Sequence, residues 1–274
     1  MTDTQAGLTE DRVLVEYSVD NGVALLTLSD PPANTYSYQM MQQLDRAILT
    51  ARMDDAVQVI VITGKGDKFF CAGADIQMLA NVTPTFKYYF CLHANETLNR
   101  LEQTPKLVVA AINGHCVGGG LEVAMAADIR IARRGAGKLG LPEVSLGVLP
   151  GTGGTQRLTR IVGKSKAIEL MITGQLFDFE KGLELGLVNQ VLDSETADQF
   201  RALVIEYART FTSPNKAAHA VGNIKRSVQT GAEISFEAAL ALERELQQQL
   251  FQSEDAKEGL EAYVGKRKAE FKGK

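Results

Sequence analysis

The 274-residue chain has no tryptophan, only three cysteines and three histidines, and no excess of one charge, since 29 Lys and Arg stand against 33 Asp and Glu. Each shortage excludes something. Cys71, Cys91 and Cys116 are odd in number, form no CxxC and sit among apolar residues, which suits buried free thiols rather than a disulfide framework or a thiolate metal site. His93, His115 and His219 show neither HxxxH nor HExxH spacing, so no metal site is read from them, and His93, in a mixed helical run, fits a surface or interface position. The mild net charge of −4 argues against nucleic acid or an anionic membrane as the main partner, although a basic cluster stands at the C-terminal end. No window holds the roughly 18 uninterrupted apolar residues of a membrane-spanning helix. The polar, acidic start "MTDTQAGLTEDR" resembles neither a signal nor a transit peptide. These absences predict a cytoplasmic, metal-free protein.

Hydrophobic residues make up 45% of the chain, enough for one large core or a core with an appended region. "VLVEYSV" and "VALLTLS" flank "DNG", a hairpin signal, and "VQVIVITG" and "KLVVAAING" are continuous apolar runs of the kind found in strands buried on both faces. Helical spacing runs through "YQMMQQLDRAILTARMD" and through "TPTFKYYFCLHANETLNRLEQ" after its proline. Two further strands, "ADIRIAR" and "GLVNQVLD", continue the alternation, with "SKAIELMITG" and "DFEKGLELG" as helices between them. Past residue 195 the pattern is wholly helical and ends in a long helix with Ser235 as its cap. The class is α/β, with an α/β region over 1–195 and a helical region over 196–274.

Three stretches carry candidate chemistry. In "CVGGGLEVAM", residues 116–125, three glycines lie between a strand and a helix, so the main chain can approach a ligand and the first helical amides are free to hold an oxygen that becomes anionic. Glu122 falls in that first turn, where a simple dipole partner fits the same pattern. "FFCAGADI", residues 69–76, is a second glycine turn leading from a strand into a short helix, and a pair of such turns can supply two converging donors. In "GLPEVSLG", residues 140–147, Glu143 follows Pro142 among apolar side chains, a setting that raises a carboxyl pKa by desolvation. A solvent-facing cap fits the Glu143 composition equally well.

Taken together, "FFCAGADI", "AINGHCVGGGLEVAMAADIRIA", "GLPEVSLGVLPGTGGTQRLTRIVG" and the tail "EGLEAYVGKRKAEFKGK" resemble the enoyl-CoA hydratase, or crotonase, superfamily in order and spacing, over nearly the whole chain. The resemblance implies a crotonase-like spiral of ββα units with a helical C-terminal region that assembles trimers or dimers of trimers. It implies an acyl-CoA thioester as partner and substrate, with no separate cofactor. The thioester oxygen would lie between the amides of Ala74 and Gly119, with Glu122 and Glu143 as the catalytic pair of a hydratase. Ala72, Gly73, Asp75 and Ile76 would line the CoA path, and Leu141 and Gly151 would border the acyl group. Phe271 and Lys274 match tail positions that reach the CoA of a neighbouring subunit.

The sequence departs from the family pattern at "ANTYSYQMM", where Tyr36 and Tyr38 add bulk that reads as buried helix packing rather than pocket lining. Leu141 stands where hydratases often carry Gln. A Δ3,Δ2-enoyl-CoA isomerase needs one proton-shuttling carboxylate, so the presence of two favours hydration; a branched or cyclic enoyl-CoA is a further substrate alternative. An RNA-binding relative is the reading from another class, suggested by Lys266, Arg267, Lys268, Lys272 and Lys274, but without a stacking platform the CoA phosphates account for these charges more simply.

Overall fold

The computed structural model describes residues 12–273. Its strands are β1 (Val15–Asp20), β2 (Val23–Leu28), β3 (Val59–Gly64), β4 (Phe69–Cys71), β5 (Leu107–Ile112), β6 (His115–Val117), β7 (Ile129–Arg133), β8 (Leu139–Gly140) and β9 (Gln190–Leu192). The helices are α1 (Tyr38–Met53), α2 (Ile76–Ala80), α3 (Pro84–Glu102), α4 (Gly119–Met125), α5 (Gly154–Val162), α6 (Lys164–Thr173), α7 (Phe179–Glu184), α8 (Ala197–Arg209), α9 (Ala218–Gly231), α10 (Phe236–Phe251) and α11 (Glu254–Val264), with a short 3-10 helix at Glu143–Leu146.

Two sheets organise the chain. The larger has the order β1-β2-β3-β5-β7-β9, antiparallel only at the β1–β2 hairpin, and the smaller is the parallel set β4-β6-β8. Successive strand pairs β3/β4, β5/β6 and β7/β8 each give one strand to each sheet before the chain turns into helix. This is the expected crotonase spiral of ββα units, followed by a helical C-terminal region.

The continuous apolar runs of β3 and β5 have a direct cause. Ile60 and Ile62 of β3, with Val108 and Ala110 of β5, point into the main core beside α1 and α3. The alternate residues Val59, Val61, Val109 and Ala111 point the other way, onto Phe200, Val204 and Ala208 of α8. Those three follow each other at four-residue spacing, one face of a helix, so the first helix past residue 195 closes the second face of the sheet. Burial of each large apolar side chain in these layers contributes about 1.5–3 kcal/mol. Helix α1 starts where Ser37 accepts from the Met40 amide, and buries Met40, Met41, Leu44, Ala47, Ile48 and Ala51 as its inward stripe. Ser235 caps α10 by accepting from the Ala238 amide, as its sequence predicts.

Cys71 and Cys116 are buried and unpaired, and burial pushes the Cys71 thiol up to about 12. Cys91 is half-buried. His93 is partly buried, its ring 5.4 Å from that of Tyr38. Among the described residues no helix is long and apolar enough to cross a membrane.

Candidate active site

The turn after β6 builds the first wall. Gly118 has φ +54 and caps α4, a backbone state that side chains rarely adopt, and a Cβ there would come within 3.2 Å of Glu143 Oε1. The two glycines after it are required by packing. A Cβ on Gly119 would lie 2.0 Å from the Tyr36 hydroxyl, and one on Gly120 would lie 2.0 Å from the Cys71 carbonyl oxygen. All seven residues of α4 are buried, Glu122 among them.

The turn after β4 builds the second wall. Gly73 has φ +90, and its Cα faces the Gly119 amide so closely that a Cβ would come within 3.0 Å of that nitrogen. Tyr36 brackets the next residue from outside, donating its N–H to the Gly73 carbonyl at 2.9 Å and accepting from the Asp75 amide at 3.1 Å. Among the described residues neither the Ala74 nor the Gly119 amide has a hydrogen-bond acceptor. A pair of such donors beside one cavity is the arrangement that stabilises a developing oxyanion.

The two carboxylates are held differently. Glu122 Oε1 accepts the Thr152 amide at 2.8 Å and the Gly154 amide at 2.7 Å, and Oε2 accepts the Thr152 hydroxyl. Gly154 opens α5 and must be small, because a Cβ there would be 2.9 Å from Glu122 Oε1. Glu143 starts the 3-10 helix, and its Oε2 is buried with no hydrogen-bond partner. Desolvation pushes its carboxyl up to about 7, with nearby Glu122 adding to the shift and Lys87 opposing it. This is the elevation expected from its apolar sequence context.

A cavity of about 180 Å³ joins these groups, lined by Ala72, Gly73, Ala74, Ile76, Gly119, Glu122, Glu143 and Gly151 of the predicted set. Three of the described predicted residues are not on its wall. Leu141 is buried in the main core behind Pro142, and Leu146, Val148 and Leu149 form the apolar wall in its place. Asp75 caps α2, accepting from the Gln77 and Met78 amides. Phe271 rests against Gly259 of α11 in its own chain, and Lys274 lies outside the described residues. In the basic tail, Arg267 forms a two-pronged ion pair with Glu258.

Three polar lining residues escape the sequence reading: Lys87, Thr152 and Tyr36. Tyr36 is buried as expected, but in an isolated bridge ahead of α1, with its hydroxyl 3.2 Å from Thr152 Oγ1 and its ring on the cavity. Tyr38, expected to be buried, is 39% exposed at the start of α1. The departure at "NTYSY" was the available signal. A larger cavity, about 1100 Å³, lies among α3, α5 and α9 and contains the buried Lys225–Asp128 ion pair at 2.8 Å. It shares only Gly151 with the predicted residues, so the candidate chemistry resides in the smaller one.

The sequence profile of the enoyl-CoA hydratase/isomerase family matches residues 18–274. A probable enoyl-CoA hydratase of Bacillus subtilis is 38% identical over 94% of this chain and 98% of its own length. A short-chain-enoyl-CoA hydratase of Clostridium acetobutylicum is 38% identical over 90% of this chain and 93% of its own. The crystal structure of an enoyl-CoA hydratase from Geobacillus kaustophilus superposes with a TM-score of 0.92 at 42% identity, covering 96% of this chain and 98% of that one.

Proposed function

This chain belongs to the enoyl-CoA hydratase/isomerase family, and from that premise we propose how its cavity works. It is an enoyl-CoA hydratase, a hydro-lyase that adds water across the 2,3 double bond of a 2-enoyl-CoA thioester and runs in reverse as a 3-hydroxyacyl-CoA dehydratase. One observation carries the assignment of roles: two glutamates on separate elements share one cavity with two amides that lack acceptors.

The thioester oxygen is held by the Ala74 and Gly119 amides. A water accepted by Glu122 loses a proton to it while the water oxygen attacks C3, and the displaced π electrons collect as an enolate on the thioester oxygen. Glu143, protonated near neutral pH, gives its proton to C2 and the enolate collapses to the saturated thioester. One water is consumed, and the two carboxyls have exchanged their protonation states. Each amide donor contributes roughly 3–4 kcal/mol to the transition state, and each positioned acid or base about 10²–10⁴-fold. A double-bond isomerase would use a single shuttling carboxylate and leave the second without a role.

Leu146, Val148 and Leu149 give the acyl group an apolar wall within the cavity. CoA occupies the path along Ala72, Gly73 and Ile76, with Asp75 at its edge. Assembly is a trimer or dimer of trimers through the helices after residue 195, a reading supported by the exposed Ile224, Val228, Phe236, Leu260, Tyr263 and Val264. In it Phe271 and Lys274 approach the CoA of a neighbouring subunit. Three thiols without a disulfide suit a reducing compartment such as the cytoplasm.

The test is a panel of straight, branched and cyclic 2-enoyl-CoAs, followed by loss of the conjugated thioester absorbance. Hydration of at least one member of the panel is expected. Absence of hydration on every member would sink the reading.

A further inference from the structure

We propose that Tyr36 and Thr152 form a donor chain that positions Glu122, an inference that rests on the hydratase reading and adds two residues to its machinery. The starting point is a count of hydrogen-bond sites. An ionised carboxylate offers about four lone-pair directions. Two on Glu122 Oε1 are filled by the Thr152 and Gly154 amides, and one on Oε2 is filled by the Thr152 hydroxyl. A single acceptor direction remains for water. The hydroxyl contact therefore decides which way the base points.

The direction of the chain follows from proton supply. Thr152 has one hydroxyl proton, and Glu122 takes it. The contact at 3.2 Å between Tyr36 Oη and Thr152 Oγ1 must then run from tyrosine to threonine. Burial and the nearby Glu122 charge push the Tyr36 phenol well above its ordinary range, so it keeps the proton it must donate. A donor that is itself receiving a hydrogen bond donates more strongly, so Tyr36 tightens the Thr152–Glu122 contact without touching the carboxylate.

Tyr36 also has the rigidity that the role requires. Its ring is buried and packs 6.0 Å from that of Phe90, its hydroxyl presses on the Cα of Gly119, and its main chain is bonded on both sides of Ala74. One residue thus registers the base against both oxyanion amides. The main-chain bonds survive replacement by phenylalanine, so the hydroxyl can be tested alone.

The experiment measures kcat and KM for crotonyl-CoA hydration in Tyr36→Phe, Thr152→Val, Thr152→Ser and the double variant Tyr36→Phe/Thr152→Val. We expect kcat to fall about tenfold in Tyr36→Phe and about a hundredfold in Thr152→Val, with KM within about twofold of wild type. Thr152→Ser restores the hydroxyl and stays within about threefold of wild type. The double variant is no slower than Thr152→Val, because Tyr36 acts only through Thr152. Wild-type kcat in both single variants, losses that multiply in the double variant, or losses that reside in KM would each overturn the donor chain. A wild-type enzyme that hydrates no enoyl-CoA overturns the hydratase reading instead, and this inference with it.

Discussion

Glu122 and Glu143 are the same residue type on two walls of one cavity, and they are supported in opposite ways. Glu122 lies inside a fully buried helix, with three donors from the 152–154 turn converging on its two oxygens. Glu143 begins a single 3-10 turn with partly exposed neighbours, and its buried Oε2 has no partner. Burial with donors provides for an anion; burial without them favours the neutral acid. The proposed division of labour between base and acid therefore follows the supply of hydrogen bonds to each carboxyl, whereas depth alone would have made the more deeply buried Glu122 the neutral group.

The largest test removes each carboxylate in turn. Glu122→Gln and Glu143→Gln are each expected to lower hydration at least about a hundredfold while CoA-thioester binding, measured by calorimetry, persists. Near-wild-type turnover in either variant would break the contrast outright. A smaller effect sharpens it. In the proposed hydration Glu143 must carry its proton to deliver it, and burial raises its carboxyl to about 7. The hydration kcat/KM should accordingly fall about tenfold per pH unit above that value. The dehydration direction, which needs the carboxylate form, should rise through the same range.

The smallest effect is on stability. The Glu143 carboxyl is raised from 4.5 to about 7 on folding, so the folded chain holds this proton more tightly than the unfolded one. Its contribution is fully present below pH 4.5 and is lost as pH rises through 7. Glu143→Gln should match wild type near pH 4.5 and be more stable by about 1 kcal/mol at about pH 8, a value well under the full shift because the carboxyl is partly open to solvent. Equal thermal melts at both pH values would contradict the assigned environment.

Much of this contrast was legible in the residues. The apolar neighbours of Glu143 point to desolvation, and the glycine triplet points to free amides ahead of Glu122. The strands β3 and β5 read as doubly buried because every residue of each is apolar or small. What sequence could not convey was contact across long separations. Tyr36 meets a threonine 116 residues away, and no spacing rule relates the two. The strands β4, β6 and β8 are two or three residues long, too short for a period of two to register. Leu141 shows the same limit on a local scale. It adjoins Pro142 of the cavity wall, yet its side chain turns into the core.

Those three short strands have a kinetic consequence. The Ala74 and Gly119 amides come together only when β4 and β6 pair, which joins Phe69 to His115. Loops that long close late, whereas helices such as α1 and α10 can form from local contacts. During refolding from denaturant, helical ellipticity should return while the enzyme is still silent, and turnover should reappear only once the small sheet has closed.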